Sequence, residues 1–258
     1  KYLRPFEGHP YKVIDNEEMA SLVGNIREHG IMAPLIVRRI GDNKYEIISG
    51  HRRAHAAELA GLDTVPAIEA EMTRDEAAIA LVDSNLHRER LLPSEKAFAY
   101  KLKLEAISRQ GRRTDLSSGQ VVPQTDDPTS RQLVGKLSSR NPESADMVSD
   151  TDSGRQVQRY IRLTELIPEL LDMVDEKKIA LNPAYELSFL KKEEQRDLLD
   201  AMDSEQATPS LSQAQRLKKY SQEGHLTLDM MRVIMGEEKK SDLDKVTFTS
   251  DTVSYTHL

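Results

Sequence analysis

Residues 47–61 read IISGHRRAHAAELAG, so Arg52 and Arg53 stand side by side where a strand-like run ending in Gly50 turns into an alanine-rich helix. Positive charge at a helix N-terminus opposes the helix dipole. An anion would offset that cost, because glycine lets backbone approach a ligand and the first helical amides point at it. Neighbouring side chains on a helix diverge by about 100°. One arginine is therefore expected to clamp a phosphate while the other pairs with an acid or holds a neighbouring helix. On this turn alone, an anion site and a solvated basic helix start neutralised by Glu58 or the acids at 71–76 fit equally.

A second segment, DSNLHRERLLPSEKAFAY at 83–100, crowds Asn85, His87, Arg88 and Arg90 before Pro93. From Ser84 to Arg113 eight Lys/Arg face three acids, inside a chain of net charge −7. That is a basic patch on an acidic protein. A charged outer helix face would give the same pattern. Other site types find little support. His51 and His55 have i, i+4 spacing, but Arg52 lies between them where a zinc protease needs a glutamate base. GxxxxGK[ST] and GxGxxG are absent, and Ser–His–Asp catalysis has no local support.

The elements that must position these residues follow from periodicity. Asp15 and Glu18 suggest a capping box for a helix with Met19, Leu22, Val23 and Ile26 on one face, stopped at Gly30. PLIVRRI and KYEIISG form a hairpin around Gly41-Asp42-Asn43. TVPAIEAEM is expected to be a strand, and Thr73 to Glu76 a capping box for the next helix. From Leu92 the pattern is helical only. A long helix from Pro93 to about Gln110 precedes a loop at 111–130. Further helices are expected near 131–138, 142–150, 153–163, 165–176, 183–190, 192–203, 211–223 and 227–236. Leu187, Leu190, Leu198, Leu199 and Met202 are assigned to their core.

The fold class is thus α+β, with a small mixed α/β domain at 1–92, an all-α domain at 93–236 and a disordered tail at 237–258. The 258 residues contain no cysteine, which excludes disulfides and thiolate chemistry. No apolar run approaches the roughly 18 residues of a membrane span. No signal-peptide pattern opens the chain, and a cytoplasmic location is expected.

In order and spacing, EHGIMAPLIVRR, ISGHRRAHAAELAGLDTVPAI and DSNLHRERLLPSEKA resemble the N-terminal domain of the ParB family of DNA-partition proteins, over roughly residues 1–110. The resemblance implies a pocket for CTP and magnesium. Gly50, His51, Arg52 and Arg53 would face the triphosphate, Asn85 would help place the metal, and Arg88 would complete the pocket. Pro34, Val37 and Arg38 would line the base side. His51 stands where the family has Glu, and Ser84 where it has the acid linked to hydrolysis, so weak CTP hydrolysis is expected. The resemblance also implies a homodimer, a ParA-type ATPase partner and a nucleoid-associated location.

The DNA reader is expected within residues 141–166. Asn141 and Pro142 would start one helix of a helix-turn-helix, and the helix after Thr151–Gly154 would enter the major groove. Ser153, Arg155, Gln156, Arg159 and Arg162 are its DNA-facing candidates, with Val157, Tyr160, Ile161 and Leu163 turned inward. An ordinary helical hairpin is the plain alternative. The reading is a partition protein that binds a palindromic, centromere-like double-stranded DNA site under a CTP switch. Its rivals are a nuclease or nucleotide-dependent kinase on the same fold, and a transcription regulator that uses no nucleotide.

Overall fold

The computed structural model describes residues 2–86, 88, 91–117, 147–149 and 151–237, the side chains of 111–117 excepted. The first part is a four-stranded sheet with three helices. Strands β1 (Tyr2–Pro5), β2 (Leu35–Gly41), β3 (Lys44–Ser49) and β4 (Ala67–Glu69) lie in the order β1-β3-β2-β4. The hairpin β2–β3 is antiparallel, with Asn43 taking the positive φ of 54° at its turn. Strands β1 and β4 add in parallel at the two edges. Alternation sends Val37, Tyr45 and Ile47 to one face, under helix α2 (His51–Leu59), and Ile48 to the other. There Ile48 joins Phe6, Tyr11 and Ala77, Ala78, Leu81 and Val82 of helix α3 (Arg74–Leu86). Thr73 and Glu76 form the expected capping box, with Thr73 N donating to Glu76 Oε2 at 2.7 Å.

Helix α1 (Glu17–His29) buries Met19, Val23 and Ile26 against Ala56 and Ala57 of α2. Its cap departs from expectation. Asn16, in extended backbone, accepts from Met19 N at 3.0 Å, and Asp15 instead meets His55 Nε2 at 2.8 Å. Asn and Asp cap equally well, so the residue next to the first turn takes the role. The strand expected across TVPAIEAEM is only three residues long.

Helix α4 (Pro93–Ser117) runs seven residues into the stretch expected as a loop. Gly111 costs such a helix about 1 kcal/mol relative to alanine, a cost that α4, packed along α3, sustains. The helical part continues with α5 (Gly154–Leu163), α6 (Pro168–Asp175), α7 (Leu181–Leu187), α8 (Lys192–Ser204), α9 (Leu211–Glu223) and α10 (Leu228–Gly236). One apolar core joins them to Ala97 of α4 and includes Leu187, Leu190, Leu198 and Met202, with Leu199 packed at its margin. Residues 147–149, expected inside a helix, form a turn. The helix expected at 131–138, the starting residues Asn141 and Pro142, the loop at 118–130 and the tail from 238 lie outside the described residues. Among those described, no helix is long and apolar enough to cross a membrane.

Candidate anion cleft and reader helix

Gly50 ends β3 and caps α2 with φ 98°, ψ 23°, a left-handed conformation that side chains other than glycine's resist. A Cβ there would also meet Arg53 Nη2 at 3.0 Å and Leu35 Cγ at 3.2 Å. The turn thus needs glycine for backbone and for space. The arginines that follow divide as their divergence requires. Arg52 reaches α1 and pairs with Glu18 at 3.2 Å, an acid that sequence had not assigned to it. Arg53 folds back over the turn and donates through Nη1 to the carbonyls of Ala33 and, at 3.0 Å, Pro34.

The cleft at this turn, about 120 Å³ in volume, is lined by Gly50, His51, Arg52 and Arg53, together with Asn85 and Arg88 from the end of α3. Six sequence candidates therefore converge from segments more than 30 residues apart. Asn85 is buried, and its Nδ2 donates to Leu81 O at 2.7 Å and Ser84 Oγ at 3.1 Å. Ser84 Oγ donates to Leu81 O at 3.0 Å, so its hydroxyl is committed to the helix backbone. Of the acids nearby, Asp83 is paired with Lys103 at 2.6 Å. His87, Glu89 and Arg90 lie outside the described residues.

The three base-side candidates sit elsewhere. Val37 is buried and lines a larger groove of about 950 Å³ along the sheet, which meets the cleft at His51 and Val13. Pro34 supplies a carbonyl to Arg53. Arg38 is half-buried on the opposite face in a 2.6 Å pair with Glu46, its buried Nε without a hydrogen-bond partner. Alternation along β2 separates Val37 from Arg38.

His9, Tyr11 and Lys12 also line the cleft, on the loop after β1 that sequence had left unassigned. The His9 and His51 ring centroids lie 3.8 Å apart, with the planes tilted by 38°. Burial first, then His9 and the Arg88 charge, lower the His51 pKa from 6.5 to about 3. Burial, with Arg88, also lowers that of His9 against a backbone bond at Tyr11. Burial raises the Tyr11 phenol despite Arg88, whose guanidinium stands 5.7 Å from the ring centre. Lys12 bridges to the helical part, its Nζ lying 3.2 Å from Asp172 and 3.4 Å from Asp175. No loop residue here had a periodic signal, and Tyr11 contacts Val82 O across 71 positions.

In the helical part, Ser153 caps α5 and accepts from Gln156 N at 3.4 Å. The turn before it is held to α4, with Tyr100 Oη donating to Asp152 at 2.5 Å and Lys96 pairing with the same carboxylate. Val157 and Leu163 are buried, while Tyr160 and Ile161 pack partly buried, as their spacing suggested. Arg155 and Arg159 are exposed and Gln156 is half-buried. Arg162 has an internal role. Its guanidinium lies 4.3 Å from the Phe189 ring centre and donates to Ser188 O at 3.1 Å, while its Nε is buried without a partner. A phosphate contact from Arg162 would require breaking these.

Residues 1–86 match the family model for the ParB N-terminal domain. The chain is 50% identical over 91 residues to a probable chromosome-partitioning protein ParB of Pseudomonas putida, covering 35% of this chain and 31% of that protein. Stage 0 sporulation protein J of Bacillus subtilis is 48% identical over 99 residues, 38% of this chain and 34% of that one. Chromosome-partitioning protein Spo0J of Thermus thermophilus is 32% identical over 192 residues, 74% of this chain and 59% of that one. The chain thus spans between a third and three fifths of these relatives. A solved structure of C-terminally truncated ParB from Caulobacter crescentus, complexed to the centromeric parS site, is 19% identical with a TM-score of 0.41, covering 90% of this chain and 94% of that one. Residues 1–86, which carry the glycine–arginine turn and most of the cleft around it, are thus similar to the ParB N-terminal domain.

Proposed function

We propose that this chain is a DNA-binding partition protein whose N-terminal cleft takes the phosphates of CTP. The observation that carries the reading is the convergence of a left-handed glycine cap, a helix N-terminus and the cations Arg52, Arg53, Arg88 and Lys12 on one cleft of a ParB N-terminal domain. Helix amides and convergent cations are what a polyphosphate needs. The adjoining groove, within the size range of small-molecule sites, would take ribose and base, with Val37 on its floor. Pro34 and Arg38 would act there indirectly, through Arg53 and Glu46. Magnesium would arrive on the phosphates, with the Asn85 carboxamide oxygen as its protein partner. Among the described residues no group of three or more His, Asp or Glu is placed to hold a metal alone. Hard cations of this kind commonly keep substrate phosphates and few protein ligands.

Hydrolysis is expected to be weak. Ser84 stands at the helix end with its hydroxyl bonded to Leu81, and Asp83 is paired with Lys103. Neither is positioned as a free carboxylate base for water. Ser153, Arg155, Gln156 and Arg159 would address DNA from α5, at a palindromic site bound by a homodimer. A ParA-type ATPase partner and a nucleoid-associated, cytoplasmic location complete the reading.

Isothermal titration with CTP, ATP, GTP and UTP in magnesium tests it. CTP is expected to bind most tightly, and equal or absent binding of all four would sink the nucleotide reading. Arg53→Ala should abolish CTP binding and leave initial DNA recognition intact, because α5 is built from separate elements.

A further inference from the structure

Resting on the anion-cleft reading, we propose that the closely apposed His9–His51 pair is itself an anion ligand of the cleft, neutral as a pair by itself and gaining one shared proton when an anion enters. Both rings line the cleft, and their centroids are 3.8 Å apart. At that distance a proton on each ring would place two like charges in contact, so the pair holds one at most. The geometry at His51 suits a neutral ring. Its Nε2 accepts a long hydrogen bond, 3.5 Å, from Phe6 N, which a protonated nitrogen cannot do.

The charges facing the pair explain why an anion would reverse this. On its own loop stand Tyr11 and Lys12, on α2 Arg52 and Arg53, and after α3 Arg88. All but Tyr11 are cations. The carboxylates around the cleft are already engaged, Glu18 with Arg52, Glu46 with Arg38, Asp15 with His55, Asp83 with Lys103, and Glu95 with the Lys12 and Leu92 amides. The pair therefore feels a net positive field, and burial acts in the same sense on both rings. A bound anion inverts the local field and offers the new N–H an acceptor. By linkage, an anion that brings a proton with it binds more tightly as pH falls, up to about tenfold per unit while the free pair is neutral and the liganded pair protonated. Above that window the dependence vanishes.

The pair also stands at the junction of the two cavities, since His51 lines both. A proton there would act at the point where a nucleotide's phosphates give way to its sugar, so it would report the phosphate charge rather than the base. Sulfate is the first probe, because it does not titrate near neutrality. Imidazole resonances of the full chain, assigned with His9→Gln and His51→Gln, would be followed from pH 8 to 5 with and without sulfate. Tripolyphosphate serves as the second probe, free of magnesium. The expected result is that one of the two rings moves to its protonated position when the anion is present, at a pH where it is neutral otherwise. Sulfate affinity should rise across the same interval in the wild type and stay flat in His51→Gln. If an anion binds while both rings stay neutral, the proposal falls and the nucleotide reading stands. If neither anion binds, both fall.

Discussion

Gly50 carries two constraints, its left-handed backbone and the space that Arg53 and Leu35 leave at its α-carbon. Gly50→Ala should therefore cost about 1–2 kcal/mol for the backbone conformation alone, read as a lower urea midpoint, and should displace the Arg53 guanidinium from the Pro34 carbonyl. An unchanged midpoint would mean the turn is not held as described. His51 makes a second residue-level prediction. Its folded pKa is about 3 against 6.5 for an unperturbed ring. Above pH 6.5 both folded and unfolded rings are neutral. Below it the unfolded chain binds the extra proton, so stability falls as pH drops from about 6.5 towards 3, by at most about 1.4 kcal/mol per unit for one proton. The gap between urea midpoints at pH 7.5 and 5 should narrow in His51→Gln, with His9 keeping the rest; parallel losses in variant and wild type would assign the acid sensitivity to other groups. Gly50 and the two arginines were legible in sequence because an adjacent glycine, cation pair and helix start are local. His9, Tyr11 and Lys12 were not, because their meaning comes from contacts with α3 and α6, across 71 and 160 positions.

Elements show the same division. Helices with an unbroken 3.6-residue period, such as α1, α8 and α9, fall close to where the spacing of their apolar residues puts them. Strand β1 was missed because its four exposed residues, ending in proline, have no alternating pattern and gain their place only by pairing with β3. On α5 the apolar stripe was legible and the fate of its arginines was not, since Arg162 is claimed by Phe189, which follows α7. Arg162→Ala should lower stability by about 1–3 kcal/mol, the cost of a hydrogen bond to a charged group together with a buried contact. It should leave the ratio of cognate to random DNA binding unchanged. Gln156→Ala is expected to do the reverse, with stability kept and cognate preference reduced by about 1–3 kcal/mol per lost base contact. Gln156 lies in the first turn after the Ser153 cap, the part of a reader helix that reaches base edges. A specificity ratio indifferent to Gln156 would place the DNA surface on another element.

At the scale of the molecule, α4 is the shared beam. Ala99 and Ala106 pack in the core of the α/β part, and Ala97 in the core of the helical part. The beam's N-terminus is fixed by a residue from another helix. Asp175 at the end of α6 accepts from Ser94 N at 2.9 Å and from Ser94 Oγ at 2.5 Å, and so caps α4 from outside. Glu95 accepts in turn from Lys12 N at 2.9 Å and Leu92 N at 3.0 Å, tying the loop of the anion cleft to the same point. The ion pairs from Lys12 differ in what they can contribute. Asp172 is 63% exposed, and a pair of that kind is worth about 0–1 kcal/mol. Asp175 is 7% exposed and supplies the cap besides. Asp175→Ala should therefore cost about 1–2 kcal/mol, in the range of a lost helix cap, whereas Asp172→Ala should cost less than about 0.5 kcal/mol. The second effect should fade at high salt, because exposed pairs are screened, and the first should largely persist. Urea titrations of both variants at low and high salt distinguish them. Equal losses that vanish together in salt would show that the joint is held by surface charge alone, and that α4 is not capped across the two parts.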